Sequence, residues 1–294
     1  MNLIVGATGI LGSEICRLLA EKGEPVRALV RATSNRDKVA QLQALKADVV
    51  VGDLKDRRSL DAACRGVRAV ISTASSTLSR QEGDSIESVD QEGQLNLVDA
   101  AEAAGVKHFV LISFPNVDID FPLQRAKRAV EDRLQRSGMS YTILQPTFFT
   151  EVWLSPALGF DPRNGKAQIY GSGNRKISFI SFQDVARFAV AALDPHRARN
   201  AAVQLGGPES LSPLEAVRVA EEVIGKPIEV QHVPEEALRA QHTAATDSLQ
   251  QSFAGLMLYY AGGDVIEMTD TLRTFPIQPL KSVRAHFQGT AEAS

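Results

Sequence analysis

Leu3-Ile-Val-Gly-Ala-Thr-Gly-Ile-Leu-Gly12 sets the fold class of the whole chain. The apolar run before the first glycine predicts a strand, and the apolar spacing over Leu11–Lys22 predicts a helix. In such a turn the first glycine allows the tight bend. The second lets a pyrophosphate approach the backbone, and the third lets the helix pack on the strand. The helix N-terminus presents free N–H groups and the positive end of its dipole to an anion. We therefore expect a dinucleotide phosphate site, against the alternative of an ordinary glycine turn. The residues predicted to hold it are Gly6, Thr8, Gly9, Ile10, Leu11 and Gly12.

Short apolar runs alternate with helical patterns through the first half of the chain. This alternation predicts right-handed βαβ crossovers and therefore a parallel sheet with helices on both faces. The runs carry few polar residues, as a sheet buried on both sides requires. The predicted fold class is α/β, with a doubly wound, Rossmann-type parallel sheet. The predicted strands are Leu3–Val5, Val26–Val30, Asp48–Val51, Ala69–Ser72, His108–Ile112 and Ser140–Leu144. The predicted helices are Leu11–Lys22, Asn35–Leu45, Arg58–Cys64, Ile86–Ala104 and Leu123–Gln135.

The regular alternation weakens after residue 145. Two capping boxes, Ser181 to Asp184 and Ser212 to Glu215, predict further helix starts. We therefore divide the chain into a nucleotide-binding Rossmann domain, residues 1–145, and a smaller, mostly helical substrate or partner lobe, residues 146–294. The boundary is soft, because the last strand and helix of the sheet are expected to come from the second part. Residues 289–294 are expected to form a frayed tail.

Basic residues follow the second predicted strand, where dinucleotide-binding proteins place a ribose-binding group. Arg31 stands there instead of a carboxylate, with Arg36 and Lys38 close behind. A carboxylate would bind the ribose hydroxyls of NAD, whereas a guanidinium can hold a 2′-phosphate through two N–H groups. We therefore expect NADP(H); the alternative is a solvated arginine beside a neutral loop. After the third strand, Asp53 is expected at the adenine amino group with Leu54 against the ring. Capping of the helix that follows is the other role weighed for Asp53, and the two roles are compatible.

The composition excludes several classes of function. A net charge of −3 over 294 residues gives no reason to expect a nucleic-acid partner. No apolar run approaches the ~18 residues of a spanning helix, and no basic leader precedes the first strand. Two cysteines, Cys16 and Cys64, make no disulfide framework, and the absence of zinc-type spacing predicts no metal site. We expect a soluble protein with reduced thiols in the cytoplasm.

The chain resembles the atypical short-chain dehydrogenase/reductases, and within them the NmrA-like group. The likeness covers roughly residues 1–193 and rests on the glycine-rich turn, on Arg31 and on further motifs. These motifs are Gly52-Asp-Leu54, Val89 to Ser113, Gln145-Pro-Thr-Phe148 and Ser181 to Ala186. The chain looks most similar to the subgroup of photosystem assembly factors, with isoflavone-type and quinone reductases as more distant relatives. The resemblance implies the fold and the cofactor but not the function, because its members include reductases, redox sensors and assembly factors.

The resemblance also implies candidate catalytic residues. Active members of the wider superfamily use a serine, a tyrosine acid and a lysine four residues after the tyrosine. Here Ser113 and Lys127 match the serine and lysine positions, but Leu123 stands in place of the tyrosine. A leucine cannot donate a proton, so catalysis stays open. Ser113, at the carboxyl end of a strand, either contacts substrate or nicotinamide or satisfies a backbone group.

Lys127 also stands out by its position on the predicted helix, because it falls within the apolar stripe. A buried ammonium needs a partner, and the ribose hydroxyls of a bound cofactor would provide one. The alternative is a lysine at the rim of the stripe that extends into water. Methionine could imitate the stem, so Lys127→Met is expected to weaken cofactor binding more than the fold. The stripe comprises Leu123, Ala126, Val130 and Leu134, and the residues expected to be solvated are Arg125, Arg128, Asp132 and Arg136.

Other residues at the carboxyl edge of the sheet complete the expected site. Ala74 and Ser75 should line the ribose–nicotinamide half of the cofactor, and Pro146 should flank the nicotinamide. The acids that could replace the tyrosine are Lys127 itself, Tyr141, Tyr170 and His108, of which Tyr141 is expected in the core and His108 to be structural. Three aromatic residues either wall an apolar substrate pocket or pack the second lobe: Phe148, Phe149 and Trp153.

Three functions follow as hypotheses. The first is an NADPH-dependent reductase of an apolar carbonyl, enone or quinone, which the lysine and the aromatic residues favour. The second is a non-catalytic sensor of NADP(H), and the third is an assembly factor that binds a protein partner. The missing tyrosine favours the last two.

Overall fold

A computed structural model of the chain describes residues 1–78, 80–194 and 196–292. The chain divides into two compact units, each assembled from separate stretches of sequence. Unit 1 comprises Met1–Phe114, Pro122–Gln145 and Ala186–Val203. Unit 2 comprises Pro115–Phe121, Pro146–Val185 and Gln204–Ser294. Within the described residues, no helix is long and apolar enough to cross a lipid bilayer.

Ten strands form two sheets in the described part of the chain. The strands are β1 (Asn2–Val5), β2 (Val26–Val30), β3 (Asp48–Val51), β4 (Ala69–Ser72), β5 (His108–Ile112), β6 (Ser140–Pro146), β7 (Phe160–Asp161), β8 (Lys166–Tyr170), β9 (Ala201–Leu205) and β10 (Glu229–Val233). The larger sheet has the order β3-β2-β1-β4-β5-β6-β9, and the pairings among its first six strands in sequence are parallel. The smaller sheet has the order β10-β8-β7. The predicted α/β class with a doubly wound parallel sheet is therefore confirmed.

Helices follow most strands of the larger sheet. The α-helices are α1 (Ile10–Glu21), α2 (Arg36–Ala44), α3 (Arg57–Ala63), α4 (Gln94–Ala103), α5 (Pro122–Gln135), α6 (Thr150–Trp153), α7 (Phe182–Ala191), α8 (Pro213–Ile224), α9 (Glu235–Ala244), α10 (Ser248–Gly262), α11 (Thr269–Thr274) and α12 (Val283–Glu292). A π-helical segment, Ile86–Gly93, leads into α4, and short 3₁₀ turns cover Pro156–Leu158 and Pro162–Asn164. Because α12 continues to residue 292, the tail predicted from residue 289 is wrong there, and residues 293 and 294 lie outside the described residues.

The core of unit 1 forms because alternate residues of each strand point to opposite faces of the sheet. Leu3, Val5 and Phe109 are buried on one face, where they pack with residues of α3, α4 and α5. On α1, Leu11, Ile15 and Leu19 recur at helical spacing and are also buried. Fully burying one such side chain stabilises the fold by roughly 1.5–3 kcal/mol.

The order of the strands determines where a ligand can bind in unit 1. Successive strands run outward from β1 through β2 to β3, and the chain then returns to place β4 on the other side of β1. Loops that leave β1 and β4 at their carboxyl ends therefore turn in opposite directions and open a crevice between them. The glycine-rich turn follows β1, and residues 73–76 follow β4.

Unit 2 contains a small sheet that the sequence did not predict. β8 is the central strand of this sheet. It pairs in parallel with β10 and antiparallel with the two-residue strand β7. Its core is rich in aromatic side chains, among them Phe148, Phe160, Phe179, Tyr259 and Phe287. The capping box predicted at Ser212 is present at the start of α8. At the start of α7 the Ser181 hydroxyl accepts the Gln183 N–H, whereas the Asp184 carboxylate accepts the backbone N–H of Lys281.

Candidate functional site

The glycine-rich turn has no room for side chains at two of its three glycines. Gly6 has φ +84°, and a Cβ there would lie 2.6 Å from Thr73 Oγ1. A Cβ on Gly12 would lie 2.2 Å from the Gly6 carbonyl oxygen, so α1 packs directly on the turn. At Gly9, by contrast, a Cβ would meet only the Gly6 carbonyl oxygen, at 3.2 Å. Gly9 is the N-cap of α1 and provides no side-chain hydrogen bond, so the N–H groups of the first turn lack a side-chain cap.

Residues next to this helix end are arranged as an anion site requires. The Thr8 carbonyl accepts a hydrogen bond from Lys38 Nζ at 3.1 Å, which holds an ammonium beside the turn. Ile10 is 43% exposed although it is apolar, whereas Leu11 is buried. The first turn of α1 contains no acidic side chain to oppose an anion.

Arg31 lies in an ion-pair group that the sequence did not predict. Its Nη1 is 2.6 Å from Asp84 Oδ2, and Lys55 Nζ is 2.6 Å from Asp84 Oδ1. Burial by itself would raise the pKa of Asp84, but hydrogen bonds from Lys55, the Gln81 N–H and Arg31 hold it below the ordinary value. The alternative of a solvated arginine beside a neutral loop is therefore wrong. Two cations, one after β2 and one after β3, share one carboxylate, so these three side chains together carry one net positive charge.

Asp53 does not cap the helix that follows it. Its Oδ1 accepts the backbone N–H of Lys55 at 2.8 Å, whereas Asp56 is the N-cap of α3 and accepts the Arg58 N–H. The alternative role for Asp53 is therefore wrong, and its contact with adenine stays a prediction. Leu54 is buried, and its Cβ would lie 2.8 Å from a Cβ on Gly93. This close approach fixes the loop after β3 against the π-helical segment.

Lys127 is paired with a carboxylate inside unit 1. It is 6% exposed, and its Nζ lies 3.8 Å from Oδ1 of Asp90, which is fully buried. The alternative in which Lys127 extends into water is therefore wrong. Asp90 Oδ2 accepts hydrogen bonds from the N–H and the Oγ–H of Ser76, at 2.9 and 2.6 Å.

This pair changes what Lys127→Met would do. The substitution would leave the buried carboxylate of Asp90 without its cation, which typically costs about 3–5 kcal/mol of stability. The expectation that Lys127→Met weakens cofactor binding more than the fold stays a prediction, but a loss of stability is now expected beside the loss of binding.

The neighbouring residues after β4 are held by the same helical region. The Ala74 carbonyl accepts a hydrogen bond from Gln94 Nε2 at 2.9 Å, and Gln94 Oε1 accepts one from the Ser72 hydroxyl at 2.8 Å. The Ser75 hydroxyl lies 3.1 Å from that of Thr77. The backbone after β4 is thus fixed at the sheet edge where the cofactor is expected.

Ser113 and Arg128 form a second polar group at this edge. Ser113 directly follows β5 and is buried, and its Oγ accepts a hydrogen bond from Arg128 Nη2 at 3.0 Å. The same Nη2 donates to the Phe114 carbonyl at 2.7 Å and lies 2.9 Å from Glu131 Oε1. Burial lowers the pKa of Arg128 despite the nearby carboxylates. The expectation that Arg128 is merely solvated is therefore wrong, because α5 carries a partly buried polar face beside its apolar stripe.

The other predicted residues are placed as follows. Leu123 is buried in the first turn of α5, and Pro146 is the last residue of β6. The Tyr170 hydroxyl donates to the Leu158 carbonyl at 3.2 Å, and burial raises the pKa of Tyr170. Tyr141 lies half-buried in β6.

The aromatic residues after β6 pack with other aromatic residues of unit 2. Phe148 is buried, with its ring centroid 4.8 Å from that of Trp153 and 4.5 Å from that of Tyr259. Trp153 also stacks on Tyr260, with the centroids 4.7 Å apart. Phe149 is partly buried. Packing is therefore the role that these contacts support for Phe148 and Trp153.

Unit 1 brings most of the predicted residues to one edge of its sheet. The turn at Gly6, the loop at Ser76 and the residue Ser113 follow the carboxyl ends of the parallel strands β1, β4 and β5. Sequence reasoning missed the carboxylates of Asp84 and Asp90. The only signal for Asp90 was its place within the motif from Val89 to Ser113, and Asp84 had none.

The strand order and the glycine-rich turn define a Rossmann-type dinucleotide-binding fold. Over residues 2–273 the chain matches the model of the NmrA-like family, and it belongs to that family. It is 32% identical over 238 residues to the photosystem II assembly factor Ycf39 of Trieres chinensis, covering 79% of this chain and 72% of that protein. It is 34% identical over 230 residues to the NAD(P)H azoreductase of Xenophilus azovorans, covering 78% and 75%. The structure of AtPrR2 with NADP+ and (+)pinoresinol gives a TM-score of 0.78 at 25% identity, covering 98% of this chain and 97% of that chain.

We predict that acid destabilises the fold through His108. Its Nδ1 lies 3.1 Å from Ser140 Oγ and its Nε2 lies 3.3 Å from Thr142 Oγ1, and burial lowers the pKa of the ring below 6.5. The unfolded histidine therefore binds a proton at a higher pH than the folded one. Its contribution to stability is complete above about pH 6.5 and is lost as the pH falls below that value.

Urea unfolding between about pH 7.5 and pH 5 measures this effect. The free energy of unfolding should fall as the pH is lowered in the unmodified protein, and His108→Gln should make this fall smaller. His196→Gln, at an exposed position, is the matched control and should leave the slope unchanged. Equal slopes in the unmodified protein and in His108→Gln would contradict the prediction.

Proposed function

We propose that this protein binds NADP(H) and uses it to reduce an apolar carbonyl, enone or quinone. The observation that carries the proposal is the buried Lys127–Asp90 pair at the sheet edge that also holds the uncapped N-terminus of α1. A buried ammonium at this edge is suited to hold the ribose next to the reacting ring and to supply a proton. Membership of the NmrA-like family supports the proposal, as do the relatives named as an NAD(P)H azoreductase and as a complex of AtPrR2 with NADP+.

The cofactor-binding residues follow from the shape and charge of unit 1. The pyrophosphate would lie over the turn, where Gly9 leaves space and the N–H groups of Ile10, Leu11 and Gly12 can donate. The remaining contacts proposed along the cofactor are Gly6 and Thr8 at the turn, Asp53 and Leu54 at adenine, Ala74 and Ser75 near the nicotinamide ribose, Lys127 at its hydroxyls, and Pro146 at the nicotinamide.

The preference for a 2′-phosphate would come from the basic residues at the end of β2. Arg31 offers a guanidinium whose side chain is 27% exposed, and Lys38 holds an ammonium against the Thr8 carbonyl. Asp84 neutralises only one of the two charges on Arg31 and Lys55. The excess positive charge favours a phosphate over a ribose hydroxyl.

The reduction needs one hydride and one proton. When bound, NADPH supplies the hydride. The Lys127 ammonium would donate the proton to the carbonyl oxygen of the substrate and regain one from water. Ser113 Oγ accepts from Arg128, so its own O–H can donate to the same oxygen and orient it. Because Leu123 cannot donate a proton, Lys127 and Ser113 would take the role of the missing tyrosine acid.

A second function has its own support. The buried Leu123 removes the usual acid, and a relative is named as a photosystem II assembly factor. The alternative is a non-catalytic protein whose contact with a protein partner responds to NADP(H).

We also propose a domain boundary after residue 145 and a cytoplasmic location. Burial raises the pKa of Cys16 to about 12 and that of Cys64 to about 11, so both thiols stay protonated and resist oxidation. Reduced thiols suit the cytoplasm.

An assay of NADPH consumption tests the proposed reductase. A panel of a quinone, an enone and an apolar aldehyde or ketone should include at least one compound that is reduced faster with NADPH than with NADH. Ser113→Ala should lower kcat about 10-fold, because it removes one donor to the reacting oxygen. Ser137→Ala, just beyond the end of α5, is the control. Normal NADP+ binding without turnover on any compound would favour the non-catalytic alternative.

Cofactor choice is expected to depend on Arg31. Calorimetry should show NADP+ binding at least about 10-fold tighter than NAD+, and Arg31→Ala should remove most of that difference. Arg136→Ala is the matched control. It also removes a positive charge, but it follows the C-terminus of α5 at the opposite edge of the sheet. Equal affinities for NADP+ and NAD+ in the unmodified protein would refute the assignment.

The turn gives a further prediction, in which two glycines behave differently. Gly9→Val should abolish NADP+ binding and leave the protein folded, because its Cβ meets only one oxygen at 3.2 Å and its side chain would occupy the pyrophosphate space. Gly12→Val should unfold the protein instead, because its Cβ would lie 2.2 Å from the Gly6 carbonyl oxygen. Circular dichroism and calorimetry measure the two effects. A folded Gly9→Val that binds NADP+ normally would show that the phosphates lie elsewhere.

A further inference from the structure

We propose that Asp90 is the positioning residue for Lys127, and that Ser76 holds Asp90 in place for this task. The inference rests on the proposed function, because it concerns how the lysine of that site is oriented. In this arrangement the carboxylate keeps the ammonium of α5 at the sheet edge, and the lysine contacts the nicotinamide ribose and the substrate. Asp90 itself touches neither.

Ser76 holds the carboxylate of Asp90 through two hydrogen bonds to the same oxygen. Both hydrogen bonds from Ser76, from the backbone N–H at 2.9 Å and the hydroxyl at 2.6 Å, go to Oδ2. Oδ1 is buried and has no hydrogen-bond partner among the described residues. The two bonds therefore set the orientation of the carboxylate and direct its other oxygen toward Lys127.

The distance between the two charges leaves the lysine able to bind something else. At 3.8 Å, Nζ is close enough to Oδ1 for a strong electrostatic attraction in a buried site, but too far for a hydrogen bond. The N–H groups of the ammonium thus remain available as donors. A purely structural pair would gain from closing this gap, because each buried polar group then satisfies the other.

The backbone around Asp90 also indicates a functional role. Asp90 lies in the π-helical segment Ile86–Gly93, and such wide turns inside helices occur frequently at functional sites. The segment begins with a capping box formed by Ser85 and Ser88, and Gly93 approaches Leu54 closely at its other end. The segment is therefore anchored at both ends, so Asp90 is held on a rigid support.

Four variants test the proposal against a merely structural role. Asp90→Asn removes the charge, Ser76→Ala removes one of the two hydrogen bonds, and Asp90→Asn/Lys127→Met removes both charges. Asp99→Asn is the matched control: it makes the same change on α4, in an ion pair whose aspartate side chain is 40% exposed. The measurements are the NADP+ dissociation constant by calorimetry and the urea unfolding midpoint. They also include the substrate KM and the kcat, the latter calculated per NADP+-binding site.

Positioning predicts a particular set of results. Asp90→Asn should weaken NADP+ binding about 3- to 10-fold and lower kcat per site about 10- to 100-fold, with little change in substrate KM. Ser76→Ala should show smaller changes of the same kind, with an unfolding midpoint near that of the unmodified protein. The double variant should recover the midpoint lost in Asp90→Asn without recovering NADP+ affinity. Asp99→Asn should change none of these.

Other results would overturn the proposal. Asp90→Asn with unchanged NADP+ affinity and unchanged kcat per site would reduce Asp90 to a structural counter-ion. If Asp90→Asn does not fold, Ser76→Ala provides the test. Unchanged NADP+ affinity and unchanged kcat in Ser76→Ala would then also show that Asp90 is only a structural counter-ion. Failure of the unmodified protein to bind NADP+ would instead refute the proposed function, and the role of Asp90 with it.

Discussion

The close approach of Gly12 to the Gly6 carbonyl is the constraint on which unit 1 depends. A Cβ on Gly12 would lie 2.2 Å from that oxygen. Because glycine has no Cβ, α1 can pack closely on the turn that follows β1. Its N-terminus therefore points into the crevice that the reversal of strand order opens between β1 and β4. The loop after β4 borders the same crevice, and Ser76 in this loop holds Asp90 of the π-helical segment.

Charge compensation is the second principle of the site. The side chains of Asp84 and Asp90 are both buried, and each is paired with cations from other parts of unit 1: Arg31 and Lys55 for Asp84, Lys127 for Asp90. Burying ion pairs rarely stabilises a fold more than apolar residues of similar size would. The cofactor contacts proposed for these cations would account for their presence at this edge of the sheet. One group suits a phosphate, and the other suits a ribose and a substrate oxygen.

The sequence predicted the fold well because its signals are local. The bounds of β2, β3, β4 and β5 agree with the predicted strands, since each is a short apolar run between turn residues. The small sheet of unit 2 was missed because β7 has two residues and β10 is largely exposed, so neither shows an apolar pattern.

The site was predicted only in part, for a related reason. Lys127 was noticed because it interrupts an apolar stripe, whereas its partner Asp90 lies 37 positions earlier in the chain, where an aspartate on a helix reads as solvated. Arg128 was misjudged because the stripe indicates only the apolar face of α5. Its contact with Ser113 depends on how the helix meets the end of β5. Contacts between distant elements are set by packing, which periodicity does not report.

A crystal structure of the protein with NADP+ is the most direct test of the central claim that unit 1 holds this cofactor at the carboxyl edge of its sheet. We expect the pyrophosphate to lie within hydrogen-bond distance of the backbone N–H groups of Ile10 and Leu11. We also expect the 2′-phosphate on Arg31, and Lys127 Nζ on the hydroxyls of the nicotinamide ribose with Asp90 still beside it. NADP+ bound elsewhere, or bound at the turn with Lys127 turned away from the ribose, would contradict the account.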